Sequence, residues 1–90
     1  MLFATETPLR PIEEDARAIM RMLVAEKGLK AGDTMANAEI LAAVGELGMD
    51  DMRRGDALTY AGDRAWLESR NGGITLLSRA GYAVGLSKTP

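Results

Sequence analysis

The apolar residues of this chain recur at different spacings, and the changes of spacing divide it into elements. From Pro11 to Lys27, the residues Ile12, Ala16, Ile19, Met20 and Leu23 return every three or four positions, which gathers them on one face of a first helix. Pro11 suits the first turn, where its missing N–H costs nothing. Glu13, Glu14 and Asp15 put negative charge near the positive end of the helix dipole, and Gly28 is a stop signal. The stretch LKAGDTMAN reads as a connector in which Thr34 and Met35 form a very short strand. Asn37 is placed to cap a second helix over 38–47, with Ile40, Leu41, Val44 and Leu47 as its buried stripe and Gly48 at its end. Asp50 is placed to cap a third, from Asp51 to Gly62 or Asp63. Leu58 and Ala61 are its core positions, Ala65 continues the face, and Gly55 weakens the helix by about 0.5–1 kcal/mol relative to alanine.

The period then shortens. Trp66 to Ser69 and Ile74 to Leu77 read as two strands around Arg70-Asn71-Gly72-Gly73, where Asn-Gly tolerates the backbone angles of a tight hairpin. Ser78 can cap a last short helix over 79–84, closed by Gly85. The predicted organisation is an arm over 1–10, one domain over 11–85 and a polar tail over 86–90.

This order of elements resembles the winged helix-turn-helix family. The similarity is strongest from Leu41 to Gly81, where two helices joined by a glycine-containing turn precede Ala65-Trp66-Leu67-Glu68 and Leu77-Ser78-Arg79-Ala80-Gly81. The family's strand usually begins glycine-tryptophan and its return usually reads leucine-threonine-x-x-glycine. Here Ala65 stands for the glycine and Ser78 for the threonine. The resemblance implies an α+β, mainly α fold, a three-helix core with a C-terminal β-hairpin wing. It also implies a DNA-binding transcriptional regulator whose third helix enters the major groove of double-stranded DNA while the hairpin touches the backbone. Members usually act as dimers.

Composition narrows the chemistry. Ninety residues allow one small domain with a modest core. The absence of cysteine removes disulfides, thiolate metal sites and thiol nucleophiles, and the absence of histidine removes the commonest general base and metal ligand. There is no phosphate-binding glycine loop and no calcium-loop spacing. The expectation is a protein that is not an enzyme and has no cofactor. No apolar run reaches the roughly 20 residues that span a bilayer, and the start of the chain does not read as a secretory signal, so no membrane partner and a cytoplasmic location are expected. The formal net charge is −2, whereas DNA-binding domains are often basic. Positive charge gathers at the hairpin end, in Arg64, Arg70, Arg79 and Lys88, and negative charge in the middle of the chain.

Two sets of candidate site residues follow. At 100° per residue the third helix turns Arg53, Asp56, Thr59, Tyr60 and Asp63 outward, with Arg54 along its edge. Arg53 and Arg54 can reach a guanine or a phosphate, Thr59 and Tyr60 can donate to phosphates, and Arg70 and Arg79 can contact the backbone beside the groove. Asp56 and Asp63 share that face and oppose this chemistry. The same residues also read as a solvated face with local ion pairs. The alternative reading is a winged-helix module for protein–protein interaction or homodimerisation without DNA. Met22, Met49 and Met52 are expected to be partly exposed, and Met22 and Met49 are assigned to an adaptable partner surface. Trp66 is expected to pack beneath the hairpin against the third helix.

Overall fold

The computed structural model describes residues 9–87 of the chain, so most of the predicted arm and the end of the predicted tail lie outside the described residues. The fold is α+β and mainly helical, with a small three-stranded antiparallel sheet. In chain order the elements are α1 (Leu9–Arg21), which runs on into a π-helical turn (Met22–Glu26), then β1 (Thr34–Ala36), α2 (Asn37–Gly45), α3 (Asp51–Asp63), β2 (Leu67–Arg70), β3 (Ile74–Leu77) and α4 (Arg79–Leu86).

Helix α1 begins two residues earlier than its pattern predicts. Pro11 therefore lies inside the first turn, where N–H groups have no helical partner. Glu13 and Asp15 lie beyond that turn, where the dipole has faded, and are committed to ion pairs with Arg17 and Arg53. Ala16, Ile19, Met20 and Leu23 are fully buried, as the spacing requires. The last turn widens, with the Lys27 N–H donating to the Met22 carbonyl at 3.1 Å, and the chain reverses at Gly28.

Strand β3 is the middle of the sheet, flanked by β1 and β2. Thr34 pairs with Leu76 on one side, and Leu67 pairs with Leu77 on the other. The hairpin loop is the three residues Asn71–Gly73, one residue shorter than the predicted turn, because Arg70 still pairs with Ile74. Gly72 and Gly73, and not Asn71, take the positive φ angles of 90° and 73°. Strand β2 accordingly starts at Leu67 and not Trp66. Asn37 does not cap α2. Its backbone N–H donates to Gly73 O and its side-chain oxygen accepts from the Thr75 hydroxyl at 2.6 Å, which pins the start of α2 to the hairpin. Asp50 does cap α3, accepting the Arg53 N–H at 2.8 Å. Ser78 caps α4, accepting the Gly81 N–H at 3.0 Å.

The core lies where α1 packs against α3 and α4, with α2 and the sheet closing it around α3. The inward side of α3 keeps the predicted Ala61 and replaces Leu58 with Ala57. Ala57 and Ala61 are fully buried, while Leu58 is half-buried and Ala65 is exposed. Alanine is the reason, since two small side chains let α1 approach closely and leave Leu58 at the side. On α2 the buried residues are Ile40, Ala43 and Val44, whereas Leu41 lies at the surface. The helix ends at Gly45, two residues before the predicted end, and Leu47 lies beyond it, also at the surface. Helix α4 continues through Gly85, because that glycine is buried against Met20 O and the Val24 side chain at distances no Cβ tolerates. Trp66 packs against α3, as expected. It is buried, its ring meets Tyr60 of α3 edge-on at 5.6 Å, and the Arg17 guanidinium of α1 lies over it at 5.5 Å.

Candidate interaction surface

The face of α3 turned away from the core is formed by Met52, Gly55, Asp56, Thr59, Gly62 and Asp63, all exposed and all at helical spacing. It carries two carboxylates and no cation. The four α3 residues that the sequence offered to DNA are distributed otherwise. Thr59 stands in the middle of the outward stripe. Arg53 bends toward α1, where its Nη2 and Nε donate to the two carboxylate oxygens of Asp15 at 2.8 and 3.1 Å. This forked pair raises the guanidinium pKa further above its already high value, so Arg53 is a cation already engaged by a carboxylate. Arg54 lies along the edge, as the wheel predicts, and pairs with Asp51 one turn back. Tyr60 turns to the flank of the helix, between the Trp66 ring and the Arg64 guanidinium, which stands 5.0 Å over its own ring. It serves packing more than solvent contact.

At the hairpin end, Arg70 is held by Glu68 at 2.8 Å on the same face of β2. Arg79, on the first turn of α4, is exposed and forms no ion pair among the described residues. The methionine expectation is corrected. Met22 and Met49 are 3% and 8% exposed and belong to the core, Met22 because the widened turn after α1 tucks it inward. Met52, the third of the methionines expected at the surface, is exposed at 76% and is the one exposed methionine among the described residues.

A groove of about 260 Å³ opens beside α3. Ile40 and Leu41 of α2, Leu58 and Gly62 of α3, Leu67 and Ser69 of β2 and Thr75 of β3 line it. Leu41 and Leu58 sit at its rim because α2 and α3 bury alanines instead. None of these was singled out as a site residue from the sequence. The signal was there in part, since α2 is apolar nearly all round and one small domain has no interior for both Ile40 and Leu41. No metal-holding group of three or more acidic side chains occurs among the described residues. No helix among them is long and apolar enough to cross a membrane. No protein-family model, curated protein or solved structure matches the chain.

Proposed function

We propose that the chain is a winged-helix module that binds protein and not duplex DNA, without catalytic activity. The winged-helix assignment is supported by the order of a leading helix, a short strand, two helices and a hairpin, with the first strand added to the hairpin's return strand. The observation that carries the protein-binding reading is the outward stripe of α3. In a DNA-binding member this face approaches base edges and phosphates. Here it offers Asp56 and Asp63, while the nearby arginines, Arg53 and Arg54, are neutralised by Asp15 and Asp51. Beside it lies an apolar groove flanked by the exposed Leu41, the kind of surface that loses water on meeting a partner.

A second reading, a DNA-binding transcriptional regulator, is favoured by one feature, the bias of positive charge toward the hairpin, with Arg70 at its tip and Arg64 and Arg79 by its open end. A titration separates the two. Labelled duplex is titrated with the protein at several salt concentrations. The protein-binding reading expects no binding that depends on Arg70 and Arg79. The DNA reading expects affinity that falls steeply with salt, with a slope reduced by about one for each phosphate contact removed, as in Arg70→Ala or Arg79→Ala. That result would overturn the first reading.

A further inference from the structure

Strand β2 is one of the two edges of the sheet, and its backbone groups and charges are both self-complementary. The Ser78 N–H donates to Trp66 O at 3.1 Å, which makes these residues a hydrogen-bonded pair at the start of the β2–β3 ladder. The register that follows bonds Glu68 to Leu76 and Arg70 to Ile74. In an antiparallel ladder bonded and non-bonded pairs alternate, so the N–H and C=O groups of Leu67 and Ser69 point away from the sheet. The other side of β3 agrees, since Leu77 donates to Asp33 O and Gly73 accepts from Asn37 N, leaving residues 73, 75 and 77 for β1. No backbone hydrogen bond engages Leu67 or Ser69 from outside the sheet among the described residues. Such an edge is a template for another strand.

We propose that this template takes the same edge of a second copy, the two β2 strands pairing antiparallel about a two-fold axis at Ser69 to give one continuous sheet across a homodimer. The proposal rests on the protein-binding reading above and names the partner. With Ser69 opposite Ser69 of the second copy, the two outward-pointing residues exchange both hydrogen bonds. Glu68 then stands opposite Arg70 of the second copy, and Arg70 opposite its Glu68. These are non-bonded pairs, the type that brings side chains closest. The Glu68–Arg70 pair of each copy, 2.8 Å apart on one sheet face, becomes half of an alternating four-charge cluster. A register centred on Glu68 or on Arg70 would use the same outward backbone groups but would set like charges directly opposite each other at its centre. On the other face, Leu67 and Ser69 line the apolar groove, so the two grooves lie on the same side of the joined sheet. The Ser69 register sets the two Leu67 residues four strand positions apart, roughly 13 Å along the strand.

Sedimentation equilibrium over a concentration series tests the edge. The wild type is expected to show a reversible monomer–dimer equilibrium. Glu68→Arg sets arginine against arginine twice and is expected to weaken the dimer by about tenfold or more. Glu68→Arg combined with Arg70→Glu restores opposite charges across the axis and is expected to recover most of that loss. Ser69→Pro removes an N–H that the monomer does not use, so its far-UV circular dichroism should be unchanged while the dimer is lost. A wild type that stays monomeric throughout the series overturns the proposal. So does a charge swap no better than the single reversal, or a folded Ser69→Pro chain that still dimerises. The duplex titration described above tests the underlying reading separately when it is read with Arg79→Ala, because Arg79 belongs to α4 and lies outside this edge.

Discussion

At the scale of single residues, the tightest constraint is the space above Gly81. A Cβ there would sit 2.3 Å from Trp66 O and 2.9 Å from a Leu77 methyl. The first neighbour is backbone, held by Ser78, and cannot swing aside. Gly81→Ala is therefore expected to destabilise the domain by about 1–3 kcal/mol, read as a lower urea midpoint at unchanged slope. Ala65 presents the opposite case. Its φ of 60° lies in the left-handed region, where a side chain is strained. Ala65→Gly is expected to stabilise by about 0.5–1 kcal/mol, the relief of that strain less the flexibility glycine adds to the unfolded chain. A third residue couples stability to pH. Arg17 hydrogen-bonds Glu13 at 3.0 Å and holds its carboxyl below the ordinary value of 4.5. A depressed carboxyl stabilises the fold above its unfolded value and loses that contribution as pH falls through its folded one. Glu13→Gln should thus be less stable than wild type at pH 7, and the two should converge below pH 4.5 in thermal melts. Convergence at high pH instead would contradict the pairing.

At the scale of elements, Ser78 joins the corner between α3 and β2 to the start of α4. Its hydroxyl accepts the Gly81 N–H and lies 2.6 Å from Ala65 O and 3.0 Å from Trp66 O, so its one proton is always taken. Ser78→Ala loses a helix cap and leaves a carbonyl poorly satisfied, which should cost about 1–3 kcal/mol in chemical denaturation. Ser78→Thr, which keeps the hydroxyl, should recover most of it. The cap was readable in the sequence because capping is local chemistry, and so were both ends of α3 and the two strands of the hairpin, whereas the reach of Ser78 back to Ala65 and Trp66, 13 and 12 residues away, was not. What was not readable depends on how elements meet. Leu58 outranks Ala57 in hydrophobicity, yet the approach of α1 selects the smaller side chain. Asn37 has the chemistry of a cap, yet Thr75 and Gly73 reach it first. The widened turn at Met22–Glu26 leaves no mark in residue type, and it is what carries Met22 inward. The candidate site shared this fate. Its residue types were legible, but not that Arg53 would find Asp15 on another helix or that Leu41 would be left outside.

At the scale of the whole molecule, charge and shape point in different directions. A helix that stands out from the body beside a two-stranded hairpin has dimensions a major groove accepts, and the proposed winged-helix layout supplies both. The outward stripe of α3 instead carries Asp56 and Asp63, on a chain whose formal charge is −2. If charge alone keeps this face from duplex DNA, reversing it should be sufficient to admit it. Each exchange of aspartate for lysine raises the formal charge by two, so Asp56→Lys with Asp63→Lys brings the chain to about +2 without touching a buried residue or an ion pair among the described residues. The double variant should bind duplex at low salt, and its log affinity should fall with log salt by about 0.9 for each phosphate engaged. Adding Thr59→Ala should change its affinity only if the stripe itself enters the groove. A double variant that folds normally and still ignores duplex would show that shape, and not charge, excludes DNA from this face, and would set aside the winged-helix docking geometry for this chain.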